Sequence, residues 1–400
     1  MKKTAVIGGG AAGFFLAVNL KEMIPQMDVT IFERGKRVLR KVEVSGGGRC
    51  NCTNTFAHVA DLSQVYPRGH RLLKRLFHVF GHEDAYRWFE THGVPLTAQA
   101  DGCVFPLQQD SRVVIDCLLN HARRYGVKIL TGHAIESLSD VSGYDYVAVT
   151  TGGTQRHDAL QWLGDAGHET VQPLPSLFSF SIDSTALHAL QGLVAEQATV
   201  YIPGTKLRAS GPLLITHWGL SGPAVLRLSS YAARHLAECD YHAPLGISWL
   251  TMTEADTLQL IRQTACQQPN KLLTTANPFG LPQRLWAFLA EEAVDGRAEP
   301  RWGELGRKDH NRLANAISNY TCNISGRAPF KDEFVTCGGI ALESVNPATL
   351  ESRKQPNLYF AGEVLDIDGI TGGFNFQAAW TTAYTVAKSI KEKSELCGCH

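Results

Sequence analysis

The chain opens on a strand, a glycine loop, a helix and a second strand, in that order. Thr4-Ala5-Val6-Ile7 is an unbroken short run of the kind buried on both faces of a sheet. It leads directly into Gly8-Gly9-Gly10-Ala11-Ala12-Gly13, which fits G-x-G-x-x-G. Residues 11–23 then read as an apolar helix carrying Phe14, Phe15, Ala17, Val18 and Leu20, and residues 28–32 as a second strand ending in Glu33. Glu33 lies 20 residues beyond Gly13, the spacing of an acid that accepts hydrogen bonds from a ribose. Gly8 permits the tight turn, Gly10 lets a pyrophosphate approach the backbone, and Gly13 lets helix and strand pack closely. Ala11 and Ala12 open a helix whose N-terminus faces the phosphate charge. A lone glycine motif signals only a strand-to-helix turn; the ordered set carries the nucleotide reading.

The segment after Glu33 favours FAD over NAD. Arg34 and Lys41 flank a basic stretch, and Ser45-Gly46-Gly47-Gly48-Arg49-Cys50-Asn51 comes next, ahead of Cys52-Thr53-Asn54. Three glycines beside a fixed cation and amide donors suit a pyrophosphate or an electron-rich isoalloxazine edge. Without a ligand to approach, such a run is costly in chain entropy. At the other end, residues 357–361 read as a strand delivering Gly362-Glu363. Asp366 comes after it, then Gly372-Gly373-Phe374-Asn375 and a helix from about 377 to 393. A glycine loop feeding a helix N-terminus suits the negative charge that develops on a reduced flavin.

These segments, with Thr216-His217-Trp218-Gly219-Leu220-Ser221-Gly222-Pro223 and Cys337-Gly338-Gly339, resemble a bacterial flavoprotein family that includes aminoacetone oxidase and the 3-dehydro-bile-acid Δ4,6-reductase. The two termini resemble the split FAD domain of glutathione-reductase-type flavoproteins. The resemblance implies an α/β fold: a Rossmann-like FAD-binding domain interrupted by a β-rich domain and a small helical domain. The expected boundaries are 1–172 with 326–400, then 173–250 with 318–325, and 251–317. The resemblance places Ala134 near the adenine and Thr151-Gly152-Gly153 on the pyrophosphate side. Where the family carries a longer glycine-rich stretch, this chain passes directly from Gly153 into Thr154-Gln155-Arg156-His157.

Composition narrows the partners. With 38 basic and 38 acidic residues the net charge is +0, so no overall field draws in nucleic acid, and no nucleic-acid partner is expected. Nothing approaches the 18 consecutive apolar residues of a membrane span, and no convincing cleavage site comes after the N-terminus; the cytoplasm is the default location. The oligomeric state is left open. The ten cysteines are scattered, which suits free thiols better than a disulfide framework. Cys50-x-Cys52 lies in the proposed flavin loop, where either redox chemistry or packing is conceivable, although dithiol oxidoreductases use wider spacings. Cys117 reads as core. Cys397-Gly398-Cys399-His400 offers metal-ligand types at a terminus with no fourth partner, so no metal is expected.

Pattern divides the remaining residues into short elements. Residues 71–80 and 83–91 read as amphipathic helices, and Asp101-Gly102 as a hairpin turn. Ser111 is the expected N-cap of a helix closed by Gly126, with strands at 127–130 and 144–150. Pro173 and Pro175 read as a linker. Short strands are expected at 178–182, 198–201, 206–209 and 213–216, then one helix from Pro223 to Cys239, a strand ending at Trp249, and helices between 254 and 317. From Asn323 the chain is expected to return to the first domain.

His217 and Ser221 flank a tight glycine turn and are the candidates for substrate handling, against the plainer reading of a His packed on Trp218. No second G-x-G-x-x-G with a matching acid is present, so a nicotinamide has no Rossmann domain of its own. Three functions fit: an FAD-dependent reductase of an activated C=C bond in a small molecule with NAD(P)H as a transient donor; an amine oxidase or dehydrogenase; and a non-catalytic flavin-binding redox sensor.

Overall fold

In the computed structural model, which describes residues 1–154, 157–295, 297–328 and 335–396, the chain divides into two compact units. The first comprises residues 1–176 and 334–400, the second residues 177–333.

The first unit is built on a five-stranded parallel sheet ordered Leu358–Phe360, Tyr146–Val149, Lys3–Ile7, Asp28–Glu33, Lys128–Thr131. The strands closest to the centre are the most continuously apolar because helices cover them. Helix Ala11–Met23 is buried along most of its length and packs against the C-terminal helix Phe374–Leu396. At the heart of that pairing Phe15 touches Phe80, Trp88, Phe89 and Trp380 in one aromatic cluster.

Pro173 and Pro175, expected to mark a linker, lie within strand Thr170–Ser176, paired antiparallel with Val335–Ile340. Pro173 and Pro175 lie two apart, so their missing N–H groups fall on the same side of the ribbon and only one edge loses donors. Gly338 is required where the ladder bulges, because a Cβ there would stand 2.3 Å from the Gln172 carbonyl oxygen. The N-cap of helix Ser111–Arg124 is Asp110, which accepts from the Arg112 N–H; Ser111 lies one residue inside and donates to the Glu43 carbonyl. Gly126 comes after the helix with φ +74°, as the C-terminal turn demands.

The second unit is a closed six-stranded barrel, with strands Val194–Tyr201, Arg208–Ile215, Gly219–Ser221, Phe180–Ile182, Tyr320–Arg327 and Ala243–Ser248 in that order around it. The two strands expected at 206–216 are one, and Tyr320–Arg327 is a barrel strand rather than the start of a return to the first unit. The helix expected from Pro223 breaks at Ala232 into Pro223–Tyr231 and Ala233–Glu238. Helices Glu254–Gln267, Gln283–Ala293 and Arg307–Ser318 share a single hydrophobic core with the barrel, with Trp249, Trp286 and Trp302 buried in it.

Among the described residues, no helix is long and apolar enough to cross a membrane, and no three His, Cys, Asp or Glu side chains converge as metal ligands do. The tail Cys397-Gly398-Cys399-His400 lies outside the described residues.

Candidate cofactor site

Two helix N-termini and three glycine loops make up the candidate site, all within the first unit. The first intrahelical bond of Ala11–Met23 runs from the Phe14 N–H to the Gly10 carbonyl at 3.1 Å. The amides of Ala11, Ala12 and Gly13 therefore lie ahead of the helical ladder, and Gly10 carries no side-chain cap. The three glycines have separate jobs. A Cβ at Gly8 would stand 2.4 Å from the Thr150 carbonyl oxygen, and one at Gly13 would stand 2.0 Å from the Gly8 carbonyl oxygen. A Cβ at Gly10 would meet nothing within 4 Å. Gly8 and Gly13 are glycine because protein is there; Gly10 opens onto empty space beside the helix terminus.

Glu33 ends its strand with both carboxylate oxygens engaged: one accepts from the Gly9 N–H at 2.9 Å, the other from the Gly35 N–H at 2.7 Å. Each oxygen retains a second lone pair for a hydroxyl donor. The acid thus braces the glycine loop as well as offering acceptors. Arg34 is exposed beside it, and Ala134 is exposed just past the edge strand.

The second glycine loop lies within a helix that kinks. In Arg40–Gly48, Ser45 is extended and Gly46 and Gly47 are left-handed, with φ of +57° and +69°. The Cys50 N–H closes the turn onto the Ser45 carbonyl, and Arg49 donates to the Gly46 carbonyl while stacking over Phe105 at 4.3 Å. Cys50 and Cys52 are both fully buried. Burial, reinforced by the neighbouring Cys50, pushes the Cys52 thiol up, away from the thiolate that redox exchange needs. Packing is the role this geometry supports.

The C-terminal loop is tied to this one across more than 300 residues. Asn51 accepts from the Gly373 N–H at 3.1 Å and donates to the Thr53 carbonyl at 2.9 Å. Asn54 donates to the Gly372 carbonyl, Thr53 donates to Gln377 at 2.6 Å, and Trp380 donates to the Cys52 carbonyl. Gly373 is forced, since a Cβ there would meet the Thr53 carbonyl oxygen at 2.2 Å. The Asn375 amide is used twice on Gly369, accepting at 2.8 Å and donating at 2.8 Å, so it shapes the loop. Phe374 is buried and its carbonyl accepts from the Tyr66 hydroxyl. The first bond of helix Phe374–Leu396 runs from the Gln377 N–H to the Gly373 carbonyl, leaving three first-turn amides ahead of the ladder.

Glu363 joins these parts. Its carboxylate accepts from the Gly153 N–H at 3.1 Å and the Thr336 N–H at 2.8 Å, and pairs with Lys41 at 2.7 Å. Gly153 has no room for a side chain, a Cβ standing 2.7 Å from this carboxylate. Gly152 is left-handed, Thr151 exposed, and the Gly362 N–H is held by Thr382. Asp366 accepts from the Gly338 N–H at 2.9 Å.

Sequence reasoning missed four contributors. Gln377 and Thr382 are buried polar residues on a helix face, a signal that was legible. Arg68 and Asp368 form a bidentate buried ion pair, joined by the Ser176 hydroxyl, and nothing in the sequence links positions so far apart. His217 lies at the exposed tip of the hairpin turn between Arg208–Ile215 and Gly219–Ser221, while Ser221 hydrogen-bonds Ser179 at 2.7 Å. The two side chains are not partners of each other in any hydrogen bond described.

These features fit FAD. Unsatisfied amides at the start of Ala11–Met23 and open space at Gly10 suit a pyrophosphate, and the start of a 23-residue helix suits a flavin edge that gains electrons. The fold and site define the chain as an FAD-dependent oxidoreductase. Residues 2–389 match the family described as "HI0933-like protein Rossmann domain", and the chain belongs to it. It is 27% identical to the ribosomal RNA dihydrouridine synthase of Escherichia coli, over 96% of this chain and 97% of that one. It is 26% identical to the 3-dehydro-bile acid delta(4,6)-reductase of Clostridium scindens, over 98% of this chain and 100% of that one. Among solved structures, the 3-ketosteroid delta1-dehydrogenase of Sterolibacterium denitrificans shares the fold with a TM-score of 0.52 at 12% identity, over 98% of this chain and 100% of that one.

Proposed function

We propose that this protein reduces a C=C bond conjugated to a carbonyl, with NAD(P)H as the electron source. The observation that carries the proposal is the end-to-end similarity to two relatives whose names share one chemistry. Dihydrouridine is uridine with the ring C=C beside a carbonyl saturated, and a Δ4,6-reductase of a 3-oxo compound acts on the same kind of bond.

FAD, when bound, supplies the hydride step between nicotinamide and substrate. The chain's own residues hold and orient. The amides of Ala11, Ala12 and Gly13 hold the pyrophosphate, Glu33 takes the ribose, and Glu363 fixes the Gly152-Gly153 turn. The first-turn amides of helix Phe374–Leu396 would favour negative charge on a flavin edge held against them. The reaction balances as NAD(P)H plus one proton plus C=C giving NAD(P)⁺ and CH–CH. Uracil in RNA and an unsaturated 3-oxo steroid are the first two substrates to test.

The test is an anaerobic titration of the flavin-loaded protein with NADH and with NADPH, followed by absorbance. Bleaching by one of them, then recovery of the flavin band on adding uridine-containing RNA or the enone, is the expected result. A flavin that neither nicotinamide bleaches, yet a small amine does, would overturn the reductase reading.

A further inference from the structure

A file of aromatic side chains leads away from the cofactor site through the first unit and ends on titratable groups that the site does not use. It starts at Phe376, in the first turn of helix Phe374–Leu396. Phe376 stacks on Trp380 one turn further on, with ring centroids 5.6 Å apart and planes 11° from parallel. Trp380 also donates its indole N–H to the Cys52 carbonyl, at the end of the second glycine loop. Phe15 touches both Trp380, at 5.0 Å, and Trp88, at 4.5 Å, so one phenyl ring separates two buried indoles. Trp88 stacks on His92 at 3.8 Å and 12°. The His92 Nε2 lies 2.7 Å from a Glu22 carboxylate oxygen, and the same oxygen accepts from the Tyr125 hydroxyl at 2.9 Å. Tyr125 is half-buried just past the last turn of helix Ser111–Arg124, with an exposed residue on either side.

The proton chemistry along this file separates it from ordinary core packing. Indole and phenol are the aromatic side chains that lose one electron most readily, and ring contact lets an electron hop between them. Once oxidised, either group is a strong acid, and it is trapped as a neutral radical only where a base takes its proton. The Trp380 N–H faces a carbonyl, and the Trp88 N–H faces the Asn19 amide oxygen at 3.1 Å; neither is a base. The Tyr66 hydroxyl likewise faces the Phe374 carbonyl. Tyr384 stacks on Phe80 in a side branch, and among the described residues its hydroxyl makes no hydrogen bond to a carboxylate. Tyr125 faces Glu22. Burial works against that carboxylate, but its hydrogen bonds with His92 and Tyr125 hold it below the usual carboxylate range, so it is ionised at neutral pH. We infer that Trp380, Trp88 and Tyr125 form an electron relay between the flavin loops and the surface, along which one electron passes from Tyr125 to a light-excited flavin while the phenolic proton passes to Glu22. The phenolic O–H bond breaks and a carboxylic O–H bond forms; Tyr125 is oxidised by one electron, and that electron reaches the flavin. A soluble thiol then returns a hydrogen atom to the tyrosyl oxygen, and Glu22 releases its proton to solvent. The relay requires FAD in the site and is independent of which substrate the enzyme reduces.

The experiment is flash photolysis of the flavin-loaded protein without oxygen, with transient absorbance and electron paramagnetic resonance identifying the radicals. Continuous illumination with dithiothreitol reads the net rate of photoreduction. Wild-type protein should give a neutral tyrosyl radical that is absent from Tyr125→Phe. Trp88→Phe should lower the yield of that radical at least tenfold, and Glu22→Gln should slow its formation at least tenfold. All three variants should keep the wild-type flavin content in the dark. Tyr125→Phe removes only a hydroxyl at the surface, so it tests the endpoint of the relay whether or not Trp88→Phe folds. A tyrosyl signal that survives in Tyr125→Phe would place the oxidised ring elsewhere, on Tyr384 or Tyr66, and overturn the inference. So would photoreduction at the wild-type rate in both Trp88→Phe and Tyr125→Phe, which would mean that the thiol reaches the flavin directly. A wild-type protein that forms no aromatic radical at all would overturn it as well.

Discussion

Lys41 and Glu363 stand 2.7 Å apart across 322 residues of sequence, and the same carboxylate takes the Gly153 and Thr336 amides. One side chain thus holds four chain segments around the candidate site. The two partners are not equivalent. The Lys41 side chain is 55% exposed, so its charge is screened, and Lys41→Ala should cost under about 1 kcal/mol. Glu363→Ala strands two backbone donors and should cost roughly 1–3 kcal/mol for each one left buried. Urea unfolding of the two variants, with flavin affinity measured alongside, checks the order. Equal losses would show that the ion pair, not the amide contacts, carries the junction.

The glycines of the first loop should separate by function. Gly10→Val projects into open space, so the apoprotein should keep its melting temperature while the flavin-to-protein ratio collapses. Gly13→Ala meets the Gly8 carbonyl at 2.0 Å and should destabilise the apoprotein itself by about 1–3 kcal/mol or more. Full retention of flavin in the Gly10 variant would remove that loop from the site.

The buried Arg68–Asp368 pair predicts strong non-additivity. Asp368→Asn leaves a buried guanidinium without its carboxylate and should cost about 3–5 kcal/mol. The double replacement Arg68→Met/Asp368→Leu should recover a large part of that loss. Denaturant midpoints of the two singles and the double give the coupling directly.

Glu22 predicts an acid-side signature. Burial alone would raise its carboxyl, but hydrogen bonds from His92 at 2.7 Å and Tyr125 at 2.9 Å, with His121 nearby, outweigh this and hold it below the usual carboxylate range. A folded-state pKa below the unfolded one contributes stability above the unfolded value, near about 4.3, and loses it as pH falls through the folded value. The melting-temperature gap between wild type and Glu22→Gln should therefore be full at about pH 6 and shrink below about pH 4. A gap that is constant across that range would assign Glu22 a purely steric role.

Thiol reactivity should track burial. Cys239 and Cys266 are exposed and should be alkylated first in the native protein. Cys50, Cys52 and Cys117 should stay unmodified until unfolding, with burial pushing the Cys117 thiol up to about 12. Mass mapping after brief alkylation reads this. Early labelling of Cys50 or Cys52 would reopen a redox role for the pair.

The features legible in the sequence were local. The strand–glycine–helix unit at residues 3–33 and the helix boundaries of Ala11–Met23 derive from periodicity and backbone requirements within a few neighbouring residues. Pro173 and Pro175 misled because proline marks a linker by local rules, while an unpaired strand edge accommodates it equally well. His217, legible in the sequence as a His beside a glycine turn, lies on an exposed hairpin tip between two barrel strands, a placement only the tertiary structure supplies.

By itself, then, the sequence determined the nucleotide-binding scaffold, the places where backbone must come close to a ligand, and the split of that scaffold between the two ends of the chain. Only tertiary structure decided which side chains meet: Glu363 with Lys41, Thr53 with Gln377, and Arg68 with Asp368. The reason is physical. Conformational preference and hydrophobic period act over one or two turns of chain, whereas a hydrogen bond or ion pair between residues 300 apart exists only once the sheet and its helices have closed.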